Sequence, residues 1–270
     1  RCLGGNNRYR YQVMIRRHLT FACEGSLLAA TLDEGPATTG LLIVSGGNEL
    51  RSGAWNGQAQ FAAQIAAEGF PVLRFDRRGV GDSEGANAEF RSSAPDIAAA
   101  VAAFRAECPQ LTRLVALGNC DAASALMLAQ GAGCDALILS NPWTIEDESA
   151  EAPPEAVRGH YKQRLADPAA IKRLLTGQVS LGKLIASVLG MLRPAPPPTG
   201  LAVDMAAGIA GFAGQVSLLL AGRDRTAQAF SAAWKKGDPR IRTCESASHS
   251  FVEAEARVWL RNQVLEVLRG

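Results

Sequence analysis

The stretch from Leu117 to Ala125, LGNCDAASA, decides how this chain is read. Before it, Leu114 to Leu117 is a short apolar run of strand type. After it, a small-residue pattern of helical type begins at Asp121. Gly118 breaks the run, and Cys120 stands on the junction, with a small residue two positions before it and Ala122 two positions after it. A strand–turn–helix junction of this kind forces its middle residue into a strained backbone conformation, and bulky flanking side chains would collide with it. The helix that follows aims its first N–H groups at the sulfur, which favours thiolate over thiol. Cys120 is therefore a candidate nucleophile. The plainer alternative is a small buried residue at a tight turn. Asp121 works against the helix effect if its carboxylate points inward, so it is expected to point away or to take a hydrogen bond.

Outward from this junction, strand and helix patterns alternate. RHLTFAC (17–23) and SLLAATL (26–32) flank Glu24-Gly25, a two-residue hairpin turn. GLLIVSGG (40–47) is a continuous apolar run ending in glycines, as in a strand buried on both faces. A helix over 55–70 carries Phe61, Ile65 and Ala66 on one face and stops at Gly69. PVLRFD (71–76) is a strand, 92–107 a helix opened by serines and Pro95, RLVALG (113–118) a strand, 121–133 a helix with a glycine stop, and DALILSNPW (135–143) a strand. QVSLLLAG (215–222), a helix over 224–236, RIRTC (240–244) and a last helix over 250–270 complete the series. Strands separated by single helices pair in parallel through right-handed crossovers. The expected fold class is α/β: a mostly parallel, doubly wound sheet of eight strands, with the opening hairpin antiparallel at one edge.

Two segments fall outside the alternation. Residues 1–16 read as a basic tail, expected to be disordered, or as chain preceding a native start at Met14. Residues 17–270 form a single domain, interrupted at about 144–213 by an expected helical cap. Within that cap Leu181, Leu184, Ile185, Val188, Leu189 and Leu192 make an amphipathic stripe. The stripe fits packing above a site, with contact to a membrane surface as the other option. RPAPPPTG (193–200) is a stiff connector.

Ligands of open parallel sheets bind at the carboxyl ends of the strands, and three reactive residues follow strand ends in the order Cys120, Asp224, His249. Asp224 lies in AGRDRTAQAF and could also be a helix N-cap. His249 lies in ESASHSF. In a catalytic reading the histidine takes the thiol proton and later returns it to the leaving group, while the aspartate fixes the imidazole tautomer. Such a Cys–His pair can rest as thiolate–imidazolium. The oxyanion hole would be formed by the backbone N–H groups of Asp121 and Gly47. Asn48, Arg51 and Trp143, close behind strand ends, are candidates for the substrate pocket. DRRGVGDSEG (76–85) contains GxG but not the spacing of a dinucleotide site. It reads as a structural loop held by Asp76 pairing with Arg77 or Arg78, and no elbow surrounds Ser83.

Composition narrows the classes. The chain has 270 residues, 47% hydrophobic and 20% charged, with a net charge of +2. Nothing in that balance points to nucleic acid or an anionic surface, and no apolar run reaches membrane-spanning length. The six cysteines (2, 23, 108, 120, 134, 244) form no CxxC pair, and none of the three histidines (18, 160, 249) stands at ligand spacing to a cysteine. No metal or other cofactor is expected, the cysteines are expected to be reduced, and the location expected is cytoplasmic.

SGGNELRSGAWNGQAQFAAQIAAEGFPVLRFDRRGVGDSEG (45–85), LGNCDAASA, NPW, AGRDRTAQAF and SHSF together resemble the α/β-hydrolase superfamily over residues 17–270, and more closely the exosortase A system-associated hydrolase 1 family. That resemblance implies an α/β-hydrolase fold and a triad of Cys120, Asp224 and His249. It also implies a link to exopolysaccharide biosynthesis and to exosortase sorting of envelope proteins. Dienelactone hydrolases, which share a cysteine elbow, are more distant, and the long cap departs from their compact pattern. The expected function is hydrolysis of an ester or thioester of a small-molecule or lipid-like acyl substrate. An acyltransferase acting on a lipid or glycan intermediate, and a non-catalytic binding protein, are the alternatives.

Overall fold

The computed structural model describes residues 15–146 and 200–270. Among these, eight strands form one sheet: β1 (Arg16–Cys23), β2 (Ser26–Asp33), β3 (Thr39–Val44), β4 (Val72–Phe75), β5 (Arg113–Asn119), β6 (Ala136–Ser140), β7 (Gln215–Ala221) and β8 (Ile241–Cys244). The strand order is β1-β2-β4-β3-β5-β6-β7-β8. The β1–β2 and β2–β4 pairs are antiparallel and the rest parallel. The helices are α1 (Gly57–Ala67), α2 (Ala94–Glu107), α3 (Asp121–Leu128), α4 (Gly200–Ala210), α5 (Arg225–Ala233) and α6 (Ala254–Arg269).

The opening hairpin turns through Glu24 (φ 46°) and Gly25 (φ 82°), the two positive φ values that match the twist of the strands. β1 begins at Arg16, whose Nε lies 2.6 Å from Asp33 Oδ1, so the sheet starts one residue before the expected boundary. Along β3 the side chains alternate between two cores, as the period of two requires. Leu42 and Val44 face α2, α3, α4 and α5, where Phe104, Leu126, Met205 and Phe230 are buried. Leu41 and Ile43 face Ile65 of α1 and Val264 and Leu268 of α6. The sheet is thus covered on both faces, which explains the near-continuous apolar strands.

The helices are shorter than expected, and in two of them the backbone shows why. α1 begins at Gly57 rather than at residue 55, because Trp55 (φ 53°) and Asn56 (φ 57°) are left-handed. α3 ends at Leu128, and the chain beyond it kinks into a short 3₁₀ turn through Gly131 (φ 75°) and Ala132 (φ 47°). Of the expected cap, residues 147–199 lie outside the described residues, as do the leucine stripe, His160 and the tail before Ile15. The remaining part, Gly200–Ala210, is helix α4. No helix among the described residues is long and apolar enough to cross a membrane.

The strand order creates the site's location. From β3 the chain moves to β4 on one side, then returns past β3 to β5 on the other. The loops after β3 and β5 therefore leave the sheet as neighbours at a topological switch point, where such sheets form their crevice. The register Val44↔Gly118 brings Gly46-Gly47 beside Asn119-Cys120-Asp121.

Candidate active site

The elbow is strained in the way its spacing implies. Cys120 has φ 61° and ψ −128°, a region costly for a residue with a Cβ, by about 1–3 kcal/mol. Its N–H donates to the Ser140 carbonyl at 2.9 Å, and its carbonyl accepts from the N–H groups of Ala123 (3.1 Å) and Trp143 (3.3 Å). Gly118 is a packing requirement: a Cβ there would lie 2.8 Å from the backbone of Ala122 and Ala123. Cys120 is partly exposed, whereas Cys23, Cys108, Cys134 and Cys244 are buried. Burial pushes the thiols of Cys23 and Cys108 up, and that of Cys134 to about 12, which leaves them poor nucleophiles.

Asp224 makes both contacts that the two expectations for it call for. It is the N-cap of α5, with Oδ2 accepting from the Ala227 N–H at 3.0 Å. The same oxygen lies 3.0 Å from His249 Nδ1. The carboxylate is almost fully buried and held in place by the cap, so its second partner, the imidazole, is held too. The contact with Asp224, then the neighbouring Cys120 side chain, push the histidine's pKa up to about 10 against the opposing effect of burial.

Two asparagines that the spacing did not mark hold the histidine loop. Asn141, fully buried at the end of β6, donates through Nδ2 to the His249 carbonyl at 2.9 Å and to Asn119 Oδ1 at 3.0 Å. Its Oδ1 accepts from the Ala221 N–H at 2.8 Å. Asn119 reaches the same His249 carbonyl at 3.4 Å. Asn141 thereby connects the ends of β5, β6 and β7 to the histidine. Its signal in the sequence was a polar residue directly after an apolar strand and before a proline, a weak one. On the other side of the loop, Ser248 donates through N–H and Oγ to Glu253 Oε2 at 3.1 and 3.2 Å.

The surroundings of Gly47 differ from a free oxyanion hole. Its N–H lies 2.7 Å from both Asp121 carboxylate oxygens. Of the two expectations for Asp121, the hydrogen bond is the one found. The Gly47 carbonyl accepts from Arg77 Nη2, and Arg77 Nη1 donates to Ser93 Oγ at 2.8 Å.

The three pocket candidates sit apart in role. Asn48 is exposed and its Oδ1 accepts from Asn87 Nδ2 at 2.6 Å. Trp143 packs its ring on the core, and its N–H also donates to Ser124 Oγ at 2.8 Å, bracing the elbow. Arg51 is committed to the acidic loop after β4. It pairs with the fully buried Asp76 and lies 3.0 Å from Asp82. This corrects the pairing expected inside residues 76–85: Asp76 is held by Arg51, Arg77 by Ser93 and Gly47, and Arg78 by Asp96 and Glu24. Asp76 and Arg77, consecutive at a strand end, point to opposite faces, and Arg78 is taken up by Asp96 and Glu24. Ser83 is satisfied structurally, donating to the Asp76 carbonyl at 2.7 Å.

A mostly parallel sheet with a strained elbow after β5, an acid after β7 and a histidine after β8 has the α/β-hydrolase fold. The model of the alpha/beta hydrolase family matches residues 41–260, and the chain belongs to that family. No curated protein sequence matches it. Among solved structures it is similar to the esterase Pf2001 of Pyrococcus furiosus (14% identity, 95% of this chain and 91% of that one covered, TM-score 0.64). It is also similar to the alpha/beta hydrolase GrgF of Penicillium sp. sh18 (16%, 95% and 98%, 0.63). A third is XC6422 of Xanthomonas campestris, described as an a/b serine hydrolase without lid (16%, 94% and 94%, 0.55). At these identities the likeness is one of fold.

Proposed function

We propose that the protein hydrolyses an ester or thioester through a Cys120–His249–Asp224 triad and an acyl-cysteine intermediate. The observation that carries this reading is the Asp224 carboxylate, held by its helix cap, 3.0 Å from His249 Nδ1, together with a partly exposed Cys120 in a strained elbow whose Asn119 neighbour reaches the His249 carbonyl. The Cys120 sulfur adds to the acyl carbon, and the carbonyl π pair moves onto oxygen. As the intermediate collapses, the bond to the leaving group breaks and His249 Nε2 gives that group its proton. Water then attacks the thioester, returning a proton to His249, and the acid leaves as the sulfur recovers its electron pair. A histidine whose pKa is pushed up by the Asp224 carboxylate is suited to hold the proton that the first half of this cycle needs.

Esters and thioesters are favoured over amides, because a thiolate is itself a good leaving group. An intermediate carrying an amine expels sulfur again unless the nitrogen is protonated first. The neighbours described as an esterase and as a serine hydrolase support the hydrolytic reading by fold. The resemblance to the exosortase A system-associated family supports a substrate from envelope or exopolysaccharide assembly, with a lipid-like acyl group. The test is intact-mass spectrometry after mixing the protein with activated esters and thioesters of several chain lengths. An adduct on Cys120 is expected that is absent in Cys120→Ala and is released only while His249 is present. A folded protein that takes up no acyl group from any donor overturns the proposal.

A further inference from the structure

We propose that the Asp121 carboxylate is the resting occupant of the oxyanion hole, and that the acyl donor's carbonyl oxygen has to displace it from the Gly47 N–H. The inference rests on the reading of Cys120 as an acyl-transfer nucleophile. Three observations carry it. Both carboxylate oxygens lie 2.7 Å from the Gly47 nitrogen, so the donor is engaged by a full negative charge. A Cβ on Gly46 would lie 2.3 Å from Asp121 Oδ1, so the close approach depends on that glycine. Gly47 is gripped independently at its carbonyl, in the next peptide unit, by the buried Arg77, itself anchored on Ser93. The loop therefore has a second anchor that stays when Asp121 leaves. Asp121 is half-buried in the first turn of α3, so its side chain has a path to solvent while staying near the helix N-terminus.

A carboxylate and a developing oxyanion carry the same charge and compete for the same donor. Charge-assisted hydrogen bonds are roughly twice as strong as neutral ones. Removing the carboxylate should therefore strengthen binding of the reacting oxygen in the order Ala above Asn above Asp. Asp121→Ala leaves the N–H open, and Asp121→Asn leaves a neutral acceptor.

The probe is a straight-chain aldehyde. It adds reversibly to the Cys120 sulfur as a hemithioacetal and places an oxyanion-like oxygen in the hole. Iodoacetamide alkylation of Cys120, which needs no hole, corrects for any change in the thiol itself. The expected result is aldehyde affinity higher by about tenfold or more in Asp121→Ala, and by less in Asp121→Asn, after that correction. Affinity that stays level or falls in both variants overturns the inference and makes Asp121 a support of the loop. If these proteins still acylate on Cys120, the proposed function survives that outcome. A wild-type protein that never acylates overturns both.

Discussion

The substitution that tests the site most directly is Asn141→Ala. The side chain makes one accepting bond, from Ala221 N–H at 2.8 Å, and two donating bonds, to Asn119 at 3.0 Å and to the His249 carbonyl at 2.9 Å. Alanine deprives the fully buried Ala221 N–H of this acceptor, at a cost of about 1–3 kcal/mol. It also places a residue without a polar side chain at φ 45°, which adds about 1 kcal/mol. The sum, roughly 2–4 kcal/mol, lowers Tm by roughly 4–16 °C for a chain of this length. The functional loss is separate. The His249 carbonyl retains the Asn119 contact at 3.4 Å, and the ring gains freedom to drift from the sulfur. A misplacement near 1 Å costs on the order of 100-fold, so the acylation rate of Cys120 at 25 °C should fall at least about tenfold in protein that is still folded. Thermal unfolding by circular dichroism and stopped-flow acylation measure the two effects. A variant that melts within about 1 °C of wild type refutes the accounting for the buried N–H. One that melts lower yet acylates at the wild-type rate refutes the positioning of His249.

The pH profile follows from the pairing of His249. Its pKa is raised from 6.5 to about 10, so its protonated form is the stabilised one and is lost as pH rises. kcat/KM should carry an alkaline limb near 10 that moves down in Asp224→Asn, and a limb left in place would show that Asp224 does not set it. The stability from the same interaction is complete below about pH 6.5 and declines toward pH 10, which melts at several pH values in wild type and Asp224→Asn will show. Cys120→Gly should abolish acylation and raise stability by about 1–3 kcal/mol, since glycine tolerates φ 61° and ψ −128°; urea unfolding would contradict this if the midpoint fell. Arg51→Ala strips the buried Asp76 of its ion-pair partner and should destabilise by about 3–5 kcal/mol, with a calorimetric Tm equal to wild type as the refuting result.

All eight strands were marked in the sequence: the central ones because a sheet covered on both faces demands apolar runs, and the partly exposed edge strands β1 and β8 by the hairpin turn and by the alternation of strand and helix. The elbow was equally legible, since the collision that requires Gly118 and favours a small Ala122 lies within a few residues of chain. Helix ends were less so. Trp55 and Asn56 adopt left-handed conformations that their composition does not announce, and α3 stops at Leu128 inside a pattern that continues helical. The order Cys120, Asp224, His249 was readable as a sequence of strand-end residues; its 3.0 Å contact was not.

The amino-acid sequence by itself determined the doubly wound sheet and the candidate nucleophile, because both depend on local spacing. Only the tertiary structure decided that Asn141 carries the histidine loop, that Asp121 occupies the Gly47 N–H, and that Arg51 belongs to Asp76. The destination of a polar side chain depends on which loops the strand order makes neighbours. That strand order places residue 47 beside 121, and residue 249 beside 119, 141 and 224, through long-range packing that no local pattern encodes.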